Sequence, residues 1–171
     1  GTVNNLAYGW EFYGWATAYN TFTRVFVDGA NITNISVDDG SEITQNMVIN
    51  LYSIYSREVS FVSGLNKSST TTATQFWNPY SSNNSNLSSV LAEAPQTIET
   101  GNWIALGYRT DLTADTAIFA LITTTEIRPA ANTFNTLYAV YSRTITIADL
   151  SGTTTATQHY NSAGTVSTFS V

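Results

Sequence analysis

The chain holds a single histidine, His159, and no cysteine. General base catalysis needs a proton acceptor beside a nucleophile, and His159 is the one imidazole that could serve. Zinc sites draw on Cys and His, so the ligand supply is too small for one. No Gly-x-Ser-x-Gly elbow occurs to present a serine nucleophile. Carboxylates gather twice, as Asp38, Asp39 and Glu42 and again as Asp111 and Asp115. Asp38-Asp39-Gly40 reads as a turn in which Asp side chains bond backbone amides, and it lacks the acidic spacing of a calcium loop. Asp38 and Asp39 are thus minor metal candidates, no cofactor is implied, and an enzyme is the least favoured class of function.

Aromatic residues are the stronger functional signal. Trp10, Phe12, Tyr13, Trp15 and Tyr19 crowd one segment, and Trp77 and Tyr80 stand beside a stretch rich in Asn and Ser. Rings flanked by neutral polar groups can stack on sugars or anchor a protein partner. Trp77, Tyr80 and, in the second half, Tyr160 make up the candidate ligand-binding set. Trp10, Trp15, Tyr52, Tyr55 and Trp103 are assigned to the core, because small units need their large aromatics for burial. Arg57 and Arg143 each follow a Tyr-Ser pair, and each is expected to lay its stem on a ring.

These residues are positioned by an internal repeat. The run from Leu51 to Phe61 (LYSIYSREVSF) returns from Leu137 to Ile147 (LYAVYSRTITI), and Thr70 to Gln75 (TTTATQ) returns from Thr153 to Gln158. An aromatic and an Asn follow each time: Phe76, Trp77 and Asn78, then His159, Tyr160 and Asn161. Upstream, Gly9-Trp10 before Gly14-Trp15 corresponds to Asn102-Trp103 before Gly107-Tyr108. The common order implies a duplicated unit of roughly 85 to 90 residues. His159 then stands where the first copy has Phe76, which favours a sheet-face role over catalysis.

Period-two alternation places strands at Val59-Val62 and Ile145-Ile147, as part of either two strands meeting at Ser56-Arg57 and Ser142-Arg143 or one long strand with a bulge. Thr74-Trp77 and Thr157-Tyr160 are their expected hairpin partners, through turns at Gly64-Lys67 and Ser151-Gly152. Trp10-Thr17 and Trp103-Thr110 are further strands, with Arg24-Val27 and Ala117-Ile122 as short ones. Asp28-Gly29 has turn chemistry. Helix is expected only as a turn or two over Ser88-Glu93, ended by Pro95. The fold class is therefore mainly β: tandem small β-rich modules, β-grasp-like or sandwich-like. The boundaries read as a first repeat over 1–80, a linker or connecting segment over 81–100, and a second repeat over 101–171.

The motifs resemble the Listeria-Bacteroides, or internalin B-type, surface repeats found in bacterial adhesins and phage tail or tail-fibre proteins. In that family a Gly-Trp pair closes an aromatic strand and a Leu-Tyr-Ala-x-Trp strand ends the unit. Here Gly14-Trp15 precedes Leu51-Tyr52-Ser53-Ile54-Tyr55, and Gly107-Tyr108 precedes Leu137-Tyr138-Ala139-Val140-Tyr141. Tyr55 and Tyr141 depart from the family's tryptophan, and the threonine-rich strands fall outside its short unit. The resemblance implies a compact β module on a bacterial surface or a phage appendage.

Composition agrees with an exported structural part. Solubility rests on Thr, Ser and Asn, roughly a third of the residues and well above an ordinary globular share. Twelve acids against six bases give a net charge of −6, and the bases stand singly. With no basic stripe there is no nucleic-acid partner, and no apolar run is long enough for membrane insertion. Asn31, Asn34, Asn66, Asn83 and Asn86 each begin an Asn-x-Ser/Thr triplet, which matters only in a host that glycosylates its exports. The expected function is an extracellular, cell-surface or virion-surface spacer or adhesion segment whose partners are other modules of the same polypeptide. A host-surface glycan or protein is a further expected partner, and a carbohydrate-binding module is the alternative function. Threonine-rich, lysine-poor strand edges leave room for homo-oligomers through sheet extension.

Overall fold

Threonine, valine and isoleucine restrict χ1 and, with the aromatic residues, suit a pleated surface, and the described strands are rich in them. The computed structural model describes residues 6–27, 29, 48, 50–80, 86–115, 117–120 and 123–168. The chain is mainly β, with helix confined to short 3-10 turns among the described residues. The strands are β1 (Glu11–Ala16), β2 (Tyr52–Ser63), β3 (Ser69–Trp77), β4 (Val90–Ala92), β5 (Ile104–Arg109), β6 (Thr125–Ile127), β7 (Thr136–Asp149), β8 (Gly152–Asn161) and β9 (Thr165–Val166).

Two compact units result, and they do not follow a single cut in the sequence. The first comprises residues 1–57 and 75–88, the second 58–74 and 89–171. β2 and β3 therefore each contribute to both: the base of their hairpin belongs to the first unit and its outer part to the second.

In the first unit β1 pairs antiparallel with the start of β2, from Glu11 opposite Ser56 to Ala16 opposite Tyr52, with a bulge between Phe12 and Gly14. Gly14 sits at φ +154°, and a Cβ there would collide with the Arg24 side chain and the Phe26 carbonyl oxygen. The site accepts only glycine because the following segment lies directly against it: Trp15 bridges to Phe26. Trp10, Ala16, Ile54 and Leu87 are buried.

The second unit repeats this plan and adds to it. β5 pairs antiparallel with β7, with the bulge now between Ala105 and Gly107, and Tyr108 bridges to Phe119. β7 and β8 form a hairpin in unbroken register from Val140 opposite Asn161 to Asp149 opposite Gly152. β9 pairs with the end of β8. Ser60, Phe61 and Val62 of β2 run parallel to Thr136, Leu137 and Tyr138 of β7. The core gathers Val59, Phe61, Tyr108, Leu137, Tyr141 and Tyr160, with β4 and Ile98 against them.

Several sequence expectations differ in detail. Of the two arrangements expected around Ser56-Arg57 and Ser142-Arg143 the single long strand holds, as β2 and β7, but the bulges fall on β1 and β5 instead. Ser88-Glu93 is not helical. Val90–Ala92 form β4, paired with β6, because burying Val90 and Ala92 on a sheet outweighs the modest helix propensity of so short a run. Around Arg24-Val27 and Ala117-Ile122 the described residues make single bridges rather than strands. No helix among the described residues is long and apolar enough to cross a membrane.

Candidate functional site

The repeated arginines define one constellation that occurs twice. In the first unit the Arg57 guanidinium lies 4.4 Å from the centre of the Trp10 ring, and its Nε donates to Gln75 Oε1 at 2.9 Å. In the second the Arg143 guanidinium lies 4.4 Å from the Trp103 ring, and Nε donates to Gln158 Oε1 at 2.8 Å. Each glutamine is held from behind by a serine. Gln75 Nε2 donates to the Ser88 carbonyl at 3.1 Å and Phe76 N to Ser88 Oγ at 2.8 Å. Gln158 Nε2 reaches the Ser167 carbonyl at 3.5 Å and His159 N donates to Ser167 Oγ at 2.8 Å.

The third strand-end residue of the motif is a buried asparagine that ties down a distant loop. Asn78 Nδ2 donates to the Thr21 carbonyl at 3.3 Å, and its Oδ1 accepts from Tyr80 N at 3.2 Å. Asn161 Nδ2 donates to the carbonyls of Thr113 and Asp111 at 2.8 and 3.2 Å, and its Oδ1 accepts from Ala163 N at 2.9 Å. Gln75, Asn78 and Asn161 went unassigned in the sequence reading. Their recurrence after each threonine run was the available signal, since a polar side chain that returns with a duplicated strand is a candidate for a buried bond.

Burial divides the two copies electrostatically. Arg57 is buried, and desolvation lowers its pKa to about 10, still cationic at neutral pH. Arg143 is half-buried. A buried cation that donates to a neutral glutamine and to the Tyr8 carbonyl and lies over a ring serves as a structural cross-tie.

The candidate catalytic groups do not converge. His159 is half-buried on β8, opposite Ser142, and takes the place of Phe76 in the first unit. Asp111 is chelated by Arg109 through two contacts of 2.8 Å and accepts from Thr113 N and Oγ1. Those bonds hold its carboxyl well below the usual carboxylate range, so it stays an anion and cannot act as a base near neutrality. Asp38, Asp39 and Glu42 lie outside the described residues. Among the described residues no three His, Cys, Asp or Glu are grouped to hold a metal ion.

The aromatic candidates separate. Tyr160 is only 4% exposed and its hydroxyl accepts from Asn66 N at 2.7 Å, which makes it a core residue rather than part of a ligand surface. Its burial follows from the tilted stack with Trp103 and Tyr141 at 5.7 and 6.2 Å. Trp77 is half-buried, 5.5 Å from Trp10 and 5.7 Å from Tyr55. Tyr80 is 58% exposed and meets the Tyr52 ring edge-on at 5.4 Å, while exposed Tyr19 meets the same ring at 6.2 Å. Tyr19, Tyr52 and Tyr80 form an open aromatic patch on the first unit. Of the rings assigned to the core, Trp10 is fully buried, and Trp15, Tyr52, Tyr55 and Trp103 are half-buried.

At the matching place on the second unit lies a cleft of about 570 Å³. It is lined by Leu112, Phe134 and Tyr138 together with Thr110, Asp111, Asn135 and Thr136. Tyr138 corresponds to Tyr52 in the repeat, and Leu112 stands where the first unit has Tyr19. The one carboxylate among these lining residues, Asp111, is the one held by Arg109. Comparison with family models, with characterised proteins and with solved structures found no match.

Proposed function

We propose that the chain is a structural segment of a surface protein: two copies of one β-rich module that space or present neighbouring parts of a longer polypeptide, outside the cell or on a virion. The internalin B-type repeats, in a bacterial adhesin or a phage appendage, are the family proposed for it. One observation carries this reading. The residues that recur between copies, Arg57 with Gln75 and Arg143 with Gln158, are spent on cross-ties between strands and on capping rings, and Asn78 and Asn161 on holding loops. Duplication has kept what holds the module together. The uncharged threonine- and serine-rich faces fit a spacer that must stay hydrated without attracting counter-charged surfaces.

A glycan array probed with the whole chain tests it. A spacer retains no sugar above background, and Tyr80→Ala leaves both that result and the unfolding midpoint unchanged. A second reading, a carbohydrate-binding module, is favoured by the exposed Tyr19 and Tyr80 rings, which flank the half-buried Tyr52 ring beside neutral polar groups. Retention of a defined glycan, lost in Tyr80→Ala, would replace the first reading with the second.

A further inference from the structure

Two stretches with the same place in the repeat meet different surroundings. The outer part of the β2–β3 hairpin, residues 58–74, belongs to the second unit, where Val59 and Phe61 are 0% and 1% exposed. It is held there by the parallel pairing of Ser60–Val62 with Thr136–Tyr138 and by the bonds Ser60 N to the Asn135 carbonyl and Asn135 Nδ2 to the Glu58 carbonyl. Its turn caps two rings: Gly64 N donates to the Tyr141 hydroxyl at 2.9 Å and Asn66 N to that of Tyr160 at 2.7 Å.

Over the corresponding part of the β7–β8 hairpin, residues 144–157, no third strand is laid among the described residues. Ile145 and Ile147 stand at the positions of Val59 and Phe61, and Ala156 at that of Ala73, yet all three are only half-buried. Leu150 at the turn is fully exposed. Beyond Ser142, β7 pairs with β8 alone among the described strands.

We propose that this outer β7–β8 hairpin docks on the first unit of a second copy of the chain, which receives it as the second unit receives the outer β2–β3 hairpin. The inference rests on reading the chain as two copies of one module. The receiving edge is Asn50-Leu51-Tyr52, the counterpart of Thr136-Leu137-Tyr138. In the first unit β1 takes the edge of Tyr52 that β5 takes at Tyr138, and no described strand pairs with the other. The repeat fixes the register: Thr146 falls opposite Asn50, Ile147 opposite Leu51 and Ala148 opposite Tyr52, all parallel.

The receiving rings fit as well. Tyr55 and Trp77 are the counterparts of Tyr141 and Tyr160, and in the first unit both are half-buried rather than buried. The β7–β8 turn is reduced to Leu150-Ser151, so nothing in it matches Asn66. Trp77 lacks the hydroxyl that Asn66 serves at Tyr160, and the two omissions match. Leu150 N stands where Gly64 N does, and Tyr55 keeps the hydroxyl it would donate to. Strand addition of this kind satisfies backbone groups along an edge while side chains fill the pockets beside it. Because donor and receiver are different surfaces, the contact propagates head to tail rather than closing on itself as a two-fold dimer.

The lack of native cysteine gives a clean test. Thr146→Cys and Asn50→Cys chains, mixed and mildly oxidised, are expected to form the mixed disulfide dimer, whereas Thr154→Cys, on the strand facing away from the proposed contact, should not pair with Asn50→Cys. Sedimentation velocity of the unmodified chain is expected to show mass growing with concentration beyond a dimer. The double variant Ile145→Asp, Ile147→Asp should weaken that association at least about tenfold while the chain stays folded by circular dichroism with only a modest fall in its thermal midpoint, since both side chains are only half-buried in the single chain. A chain that stays monomeric up to about 1 mM, association indifferent to the double variant, or equal cross-linking from Thr154→Cys would overturn docking. None of these results bears on glycan binding, so the spacer reading stands or falls separately.

Discussion

Replacing Gln75 with methionine keeps nearly the same volume and removes both polar atoms at a site with no access to water. Arg57 Nε then loses its 2.9 Å acceptor and the Ser88 carbonyl its 3.1 Å donor. A hydrogen bond to a charged group contributes about 1.5–3 kcal/mol and a neutral one about 1, while burying the more apolar thioether returns about 1. The net loss should be about 1.5–3 kcal/mol. Gln158→Met removes the same atoms from the half-buried Arg143, where water can replace the acceptor and the serine contact is already at 3.5 Å. That loss should be about 0.5–1 kcal/mol. Urea unfolding of both variants, followed by circular dichroism and tryptophan emission, gives each value from the midpoint at constant slope. Adding Arg57→Met to Gln75→Met should recover most of the first loss, because the stranded cation goes with its partner. Equal losses at positions 75 and 158, or no recovery in the double variant, would refute the assignment of Arg57 and Gln75 as a buried cross-tie.

Further outcomes follow from the same geometry. Gly14→Ala should destabilise by about 2–4 kcal/mol in thermal or urea unfolding, since its methyl meets backbone at Phe26 as well as a strained φ. Phe61→Ala should cost about 3–5 kcal/mol, whereas Ile147→Ala, measured at low micromolar concentration, should cost about 1 or less despite equivalent positions in the repeat. Burial raises the pKa of both Tyr108 and Tyr141. Their contribution to stability is complete below the ordinary tyrosine value near 10 and is lost as pH rises above it, because the unfolded chain ionises first. Tyr108→Phe should flatten the fall in midpoint measured between about pH 9 and 11. Asp111 shifts the opposite way, so its stabilising pair with Arg109 persists above its usual value of 3.8 and is lost as pH falls below it. The effect of Asp111→Asn should be small and should shrink with added salt, since the Asp111 side of the pair is open to water.

The strands that repeat were legible in the sequence because recurrence of one residue pattern amplified a short-range signal. Leu51-Phe61 and Leu137-Ile147 carry the same alternation, and each is one strand of a hairpin closed by the threonine run. β4 was not legible: Val90-Leu91-Ala92 has no alternation long enough to reveal a strand, and its partner Thr125–Ile127 is remote. Nor could local pattern disclose the parallel pairing of β2 with β7, which depends on contacts between residues far apart in the chain. The aromatic candidates show the same limit. Trp77, Tyr80 and Tyr160 look alike as large rings near polar residues, and only tertiary burial separates the exposed Tyr80 from Tyr160 in the core. Arg57 and Arg143 were placed on rings correctly from repetition and residue type, whereas the glutamines that receive their Nε protons needed the fold to become visible.

The division of the β2–β3 hairpin between two units has a consequence for synthesis. Val59 and Phe61 leave the ribosome well before Leu137 and Tyr141, with which they share a buried core. At roughly 5–20 residues per second the nascent hairpin waits about 4 to 16 s with an apolar edge uncovered. Glu58, Ser60 and the threonines of β3 sit among those apolar residues, where they interrupt an otherwise continuous sticky run while the remainder of the chain is translated.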